Sequence, residues 1–166
     1  VVTGDTVEAI AESRGAFPAV FRDAIGEHWT GEYAEFDART TQLPDMRDAA
    51  CVILTGSSAN VPHRDPWVLR TEAWLRQLVP QKVPILGVCF GHQLLAQALG
   101  GCVEASPRGR EMGTVTIEIT AADDPLLGGM PDRFSANACH SDTVVELPPG
   151  AEALAHSDLD PHQAIR

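Results

Sequence analysis

Gly-Val-Cys-Phe-Gly-His-Gln-Leu-Leu-Ala-Gln-Ala-Leu-Gly-Gly, residues 87 to 101, sets one cysteine between two glycines where an apolar run stops and a helical pattern begins. The residues before it, Pro84-Ile85-Leu86-Gly87-Val88, read as a short buried strand. Leu94, Leu95, Ala98 and Leu99 then recur at helical spacing until Gly100 and Gly101 stop the helix. Gly87-Val88-Cys89-Phe90-Gly91 thus has the form Gly-x-Ser-x-Gly, the sharp strand-to-helix turn of a nucleophile elbow, with sulfur in place of oxygen. The flanking glycines leave room where a side chain would collide with the neighbouring strand or helix. A thiol at a helix N-terminus faces unpaired backbone N–H groups and the positive end of the helix dipole, which favour the thiolate. An isolated cysteine in an apolar run is more often a small core residue. The strand before and the helix after it argue for Cys89 as a nucleophile.

Working outward, Cys51-Val52-Ile53-Leu54 is a second continuous apolar run, ending in the polar loop Thr55-Gly56-Ser57-Ser58. Asp65 and Pro66 supply an N-cap and a first-turn proline for a helix that would bury Val68, Leu75, Leu78 and Val79 on one face. Phe17, Val20, Phe21, Ala24 and Ile25 predict a helix over Phe17 to His28 with one buried face, and Glu32-Tyr33-Ala34-Glu35-Phe36 alternates like a strand. Strands and helices in alternation predict an α/β fold: three layers, a mostly parallel central sheet and helices on both faces. Beyond residue 101 the pattern changes to strands without intervening helices, at Gly113 to Ile119 and Phe134 to Cys139, and these are expected to add antiparallel strands to that sheet. No repeat or linker divides the chain, so residues 1–166 are expected to form one domain. Val1-Val2-Thr3 reads as the end of a strand and Ala164-Ile165-Arg166 as the start of one, which predicts truncation at both ends.

The 166 residues are 44% apolar, with no run long enough to span a bilayer and no leader pattern, so no membrane partner is expected. A net charge of -11 would repel a phosphate backbone, which argues against nucleic acid. Cys51, Cys89, Cys102 and Cys139 are far apart, three of them in apolar segments, which suits reduced thiols in a core and a cytoplasmic protein.

The chain resembles the class I glutamine amidotransferases, most closely their stand-alone GMP-synthase-like branch. The residues that carry the resemblance are Thr55-Gly56-Ser57, Gly87-Val88-Cys89-Phe90-Gly91-His92-Gln93, Arg110-Glu111-Met112-Gly113 and Cys139-His140-Ser141-Asp142. It implies a flavodoxin-like class I glutaminase fold without a cofactor, in which Cys89 attacks the side-chain amide of glutamine, releases ammonia and leaves a γ-glutamyl thioester that water hydrolyses. It further implies an oxyanion hole from the backbone N–H groups of Gly56 and Phe90, although Thr55-Gly56-Ser57 stands where relatives have Gly-Gly-Pro. Gln93 would line the glutamine pocket, and His140, Ser141 and Asp142 would contact the substrate's amino and carboxylate ends. Read without the resemblance, Gln93 is a solvated first-turn residue, and Asp142 belongs to a strand-end turn and bonds its own backbone.

A cysteine hydrolase of this kind needs a histidine near the sulfur, oriented by a carboxylate. In relatives both come from a His-x-Glu motif, and none of His28, His63, His92, His140, His156 and His162 is followed two positions on by glutamate. The missing pair is expected beyond Arg166. His92, one turn after Cys89, is carried on the same helix and is not expected to be the base, and a zinc site pairing Cys89 and His92 with Cys139 and His140 lacks the two short spacings of structural zinc. The chain contains no phosphate-binding Gly-x-x-x-x-Gly-Lys-[Ser/Thr] loop, so ATP use and the ammonia acceptor would belong to a separate synthetase partner. A γ-glutamyl peptide hydrolase, a redox-responsive or chaperone-like relative, and a catalytically silent regulatory relative remain alternative readings.

Overall fold

Short runs of apolar, β-branched residues become strands where their backbone can pair, and two do so next to each other at β1, Val52–Leu54, and β2, Ile85–Gly87. They are parallel, with Val52 opposite Ile85 and Leu54 opposite Gly87. The computed structural model describes residues 1–166, which gather into two compact units, Val1–Ala98 and Leu99–Arg166. No helix is long and apolar enough to cross a membrane.

In the first unit, residues 1–3 run alongside β1. The Val1 nitrogen donates to the Ile53 carbonyl at 2.7 Å, and the Thr55 N–H donates to the Val1 carbonyl at 3.1 Å. On their other side the Val2 N–H donates to Phe36 O at 2.8 Å and the Ala38 N–H to Val2 O at 3.0 Å. The strand expected over residues 32–36 is thereby reduced to one parallel bridge between Val2 and Asp37, since residues 31–35 are all exposed and have no apolar face to bury. Helices α1, Glu8–Arg14, and α2, Phe17–Ile25, bury no residue fully. The expected helix over Phe17 to His28 ends early, because Gly26 turns to φ 53° and Gly26–His28 tightens into a 3-10 turn.

Helix α3, Pro66–Leu78, starts at proline as expected and buries Val68, Leu75 and Leu78, although the Asp65 side chain makes no capping bond. Val79 leaves that face for a 3-10 turn and is 43% exposed. Helix α4, Phe90–Ala98, packs against α3 and follows β2 directly. β2 is less buried than its sequence suggests, with Leu86 43% exposed.

The second unit is built from β3, Cys102–Ala105, β4, Glu111–Ile119, β5, Arg133–His140, β6, Asp142–Glu146, β7, Ala153–His156, and β8, Ala164–Ile165. β3 pairs antiparallel with β6, and the other four form an antiparallel sheet in the order β5-β4-β7-β8. The C-terminal strands therefore do not extend the parallel sheet, as expected from sequence, but make two sheets of their own. β4 pairs with β5 along Glu111 to Glu118 on one edge and with β7 at Glu118 and Ile119 on the other. Val103, Ile117, Val144, Leu154 and Ala155 form the core of this unit.

Candidate active site

The elbow is a matter of space before it is a matter of chemistry. A Cβ on Gly87 would lie 2.4 Å from the Gly91 carbonyl oxygen, and one on Gly91 would lie 2.5 Å from the Leu54 carbonyl oxygen and 2.6 Å from Leu54 Cβ. Only glycine lets the chain turn this tightly over β1. Cys89, between them, is exposed and adopts φ 54°, a left-handed conformation that residues with a Cβ normally avoid. It immediately precedes α4, where the first N–H groups of the helix lack carbonyl partners from within the helix.

Two backbone bonds join the elbow to the loop after β1. The Val88 N–H donates to Leu54 O at 3.0 Å, and the Gly91 N–H donates to Thr55 O at 3.1 Å. Gly56 then lies beside Cys89, so that a Cβ built on it would sit 3.7 Å from Cys89 Cβ and 3.4 Å from Cζ of Phe17 on α2. Phe90 is 1% exposed and packs against Trp67 at the start of α3, with ring centroids 5.5 Å apart. Gln93 is 7% exposed, which removes its reading as a solvated helical position.

The loop is anchored at both ends. Thr3, fully buried, reaches the loop through its N–H and hydroxyl, and a Cβ on Gly4 would lie 2.6 Å from Ser57 Cα, so the two segments touch backbone to backbone. Farther on, Arg64 occupies a left-handed position at φ 58° and grips the buried Glu72 of α3 through both carboxylate oxygens, with Arg76 3.6 Å from the same group. Sequence reading passed over both Thr3 and Glu72. Thr3 is 52 residues from its partner, and Glu72 has the pattern of an ordinary helix-surface charge.

His140, Ser141 and Asp142 lie in the second unit, where β5 turns into β6. The His140 Nε2 faces Glu111 Oε2 at 3.0 Å, and Nδ1 faces the Asp142 carbonyl at 3.0 Å and Asp160 Oδ2 at 3.7 Å. Glu111 also accepts from the Ser157 hydroxyl at 2.6 Å and from Gln163 Nε2, and Asp160 accepts from the Thr143 hydroxyl at 2.7 Å. Asp142 is buried and enters β6, so it is more than a strand-end turn residue. Glu111 was visible in sequence only as a motif letter, because its partners come from positions 140, 157 and 163.

None of the four cysteines forms a disulfide, and Cys51, Cys89 and Cys139 are exposed and Cys102 is half-buried, so the core location expected for three of them does not hold. In β5, Cys139 lies on the strand's exposed alternate face with Ser135 and Asn137. Desolvation, then the nearby Glu104 and Glu146, push the Cys102 thiol upward from its ordinary value. No group of three or more His, Cys, Asp or Glu is arranged to hold a metal ion.

Residues 33–166 match the family described as glutamine amidotransferase class-I. The chain is 45% identical over 131 residues, 78% of its length, to a subunit of the glutamine-hydrolyzing GMP synthase of Halobacterium salinarum, and spans 64% of that protein. It is 32% identical over 159 residues, 90% of its length, to gamma-glutamyl peptidase 5 of Arabidopsis thaliana, and spans 62% of it. It thus spans less than two thirds of these curated relatives, and a quarter of the GMP synthase of Thermosipho africanus, which it also matches. Its fold is that of a glutamine amidotransferase from Thermotoga maritima, with a TM-score of 0.75 at 23% identity, covering 99% of this chain and 70% of that one. The family match takes in both the elbow and the loop bonded to it, and the chain belongs to the class-I glutamine amidotransferases.

Proposed function

We propose that this chain is the glutamine-hydrolysing part of an amidotransferase, with Cys89 as its nucleophile. The observation that carries the proposal is the left-handed turn that presents Cys89 before α4, beside a glycine loop tied to it by backbone bonds. The thiolate attacks the amide carbon of glutamine and forms a C–S bond, while the carbonyl π electrons move onto oxygen. The resulting oxyanion is held by backbone N–H groups of the Gly56 loop and of Phe90. When it collapses, the C–N bond breaks, ammonia leaves with a proton from a general acid, and a γ-glutamyl thioester remains. Attack by water then gives glutamate and frees the thiol. Gln93, buried one turn into α4, supports the reading as a pocket residue. Substrate contact by His140, Ser141 and Asp142 rests on family resemblance alone.

The ammonia acceptor is assigned to a separate synthetase, in line with the Halobacterium salinarum relative, which is one subunit of a GMP synthase. A second reading, hydrolysis of γ-glutamyl peptides, is favoured by the peptidase relative, which aligns with more of the chain. Both use the same thioester and differ only in the leaving amine. The test is steady-state release of ammonia from glutamine, and of amino acid from γ-glutamyl dipeptides, by the full-length gene product and by its Cys89→Ala variant. Loss of turnover in the variant is expected, and full turnover without Cys89 would remove it as nucleophile. The better of the two substrates decides between the readings.

A further inference from the structure

The oxyanion is stabilised only if N–H groups of the Gly56 loop point toward it, and the first residues of the chain bond directly to that loop. Thr3 Oγ1 lies 2.8 Å from the Thr55 carbonyl oxygen, 3.1 Å from the Gly56 carbonyl oxygen and 3.2 Å from Thr55 Oγ1. The Thr3 N–H donates to Thr55 Oγ1 at 3.0 Å, and Thr55 Oγ1 lies 3.1 Å from the Gly56 carbonyl. One arrangement uses every donor once. The Thr3 hydroxyl donates to Thr55 O, the Thr55 hydroxyl donates to Gly56 O, and the Thr3 N–H donates to Thr55 Oγ1.

The peptides here are trans, so each N–H points opposite to the carbonyl of its own peptide plane. Both the Thr55 and the Gly56 carbonyls lie within reach of a single atom, Thr3 Oγ1. The N–H groups of Gly56 and Ser57, which share those peptide planes, are therefore both directed away from Thr3. Rotation of either plane would replace a donor by a carbonyl oxygen and repel the developing charge.

We propose that Thr3 and Thr55 are positioning residues: their hydroxyls clamp the loop's two peptide planes so that the N–H of Ser57 joins that of Gly56 in the oxyanion hole. The inference rests on the proposed reaction of Cys89 and deepens it. Neither threonine touches the substrate. Both act through the backbone, so their loss belongs in the transition state and leaves glutamine binding alone.

The test compares Thr3→Val and Thr55→Val, which keep shape and lose the hydroxyl, with Thr3→Ser and Thr55→Ser, which keep it, all in the full-length protein. Losing one oxyanion donor costs about 10²- to 10³-fold in kcat, so each valine variant is expected to lose about tenfold or more in kcat with KM within about twofold. The serine variants are expected to recover most of that loss, and iodoacetamide should alkylate Cys89 in the folded valine variants at the wild-type rate. Where a valine variant fails to fold, Thr3→Ala with Thr3→Ser as its rescue gives the same comparison. Wild-type kcat in the hydroxyl-free variants, a loss confined to KM, or a loss that serine does not restore would overturn the clamp. Cys89→Ser is assayed beside them: if it still turns glutamine over, the proposed reaction fails, whereas an inactive Cys89→Ser with fully active valine variants removes the clamp alone.

Discussion

Cys89 holds a backbone conformation that its own side chain disfavours. A residue with a Cβ at φ 54° is strained by about 1 to 2 kcal/mol relative to a right-handed one, and glycine is free of that strain. The turn persists because Gly87 and Gly91 have no side chains to block it and because Val88 and Gly91 are bonded to Leu54 and Thr55. The turn thus keeps a thiol where stability alone would select glycine. Cys89→Gly is accordingly expected to unfold at higher urea than Cys89→Ala, by about 1 kcal/mol, although both lack the thiol and neither releases ammonia. Equal stability of the two variants would mean that the left-handed turn carries no strain.

At the scale of elements, β4 and β5 carry two acid–base pairs in the same register, and burial separates them. Glu118 and Arg133 face each other across the exposed end at 3.0 Å, while Glu111 and His140 face each other at the buried end, also at 3.0 Å. Removing one member of a buried pair leaves the other without compensation, whereas exposed pairs contribute little. Glu111→Ala is expected to destabilise the protein by about 3 kcal/mol in urea unfolding, and Glu118→Ala by less than about 1 kcal/mol. Similar losses from both would show that the network of Ser157, Gln163 and His140 around Glu111 adds nothing to the pair. The elements themselves were legible in sequence where a local pattern was strong. The elbow, α3, α4 and β4 were readable from glycine placement, Pro66 and periodicity. What was not legible depends on partners. The stretch 32–36 alternates like a strand but meets only Val2, and the C-terminal strands alternate identically whether they extend one sheet or build another. Of the candidate site, the elbow motif supplied Cys89, while Gly56, Phe90 and Gln93 came from the family resemblance. Thr3, Glu72 and the surroundings of Glu111 belong to contacts between distant segments and leave no local pattern.

Across the whole molecule the net charge of -11 makes acid stability a matter of which carboxylates are held by cations. Arg39 bonds Asp37 at 2.7 Å and Asp5 at 2.6 Å, and these side-chain bonds hold both carboxyl groups below their ordinary range. A carboxylate whose value is depressed in the folded state adds stability above its unfolded value, about 3.9, and loses it as the pH falls toward the folded value. Asp37→Asn is therefore expected to be less stable than wild type at pH 7, with the difference shrinking below about pH 4. A difference independent of pH between 3 and 7 would place the effect of Asp37 elsewhere than in its charge. Asp5, Asp37 and Arg39 flank the same short segment that contains Thr3, which ties the chain's first residues to the loop after β1 across 52 positions of sequence. The shape of the loop beside Cys89 is consequently non-local information. A fragment that starts after Thr3, or a graft of residues 52–93 onto another scaffold, would carry the sulfur and the elbow but not the partner that sets the loop's peptide planes. It could acquire a reactive thiol without acquiring a place for the charge that reaction creates.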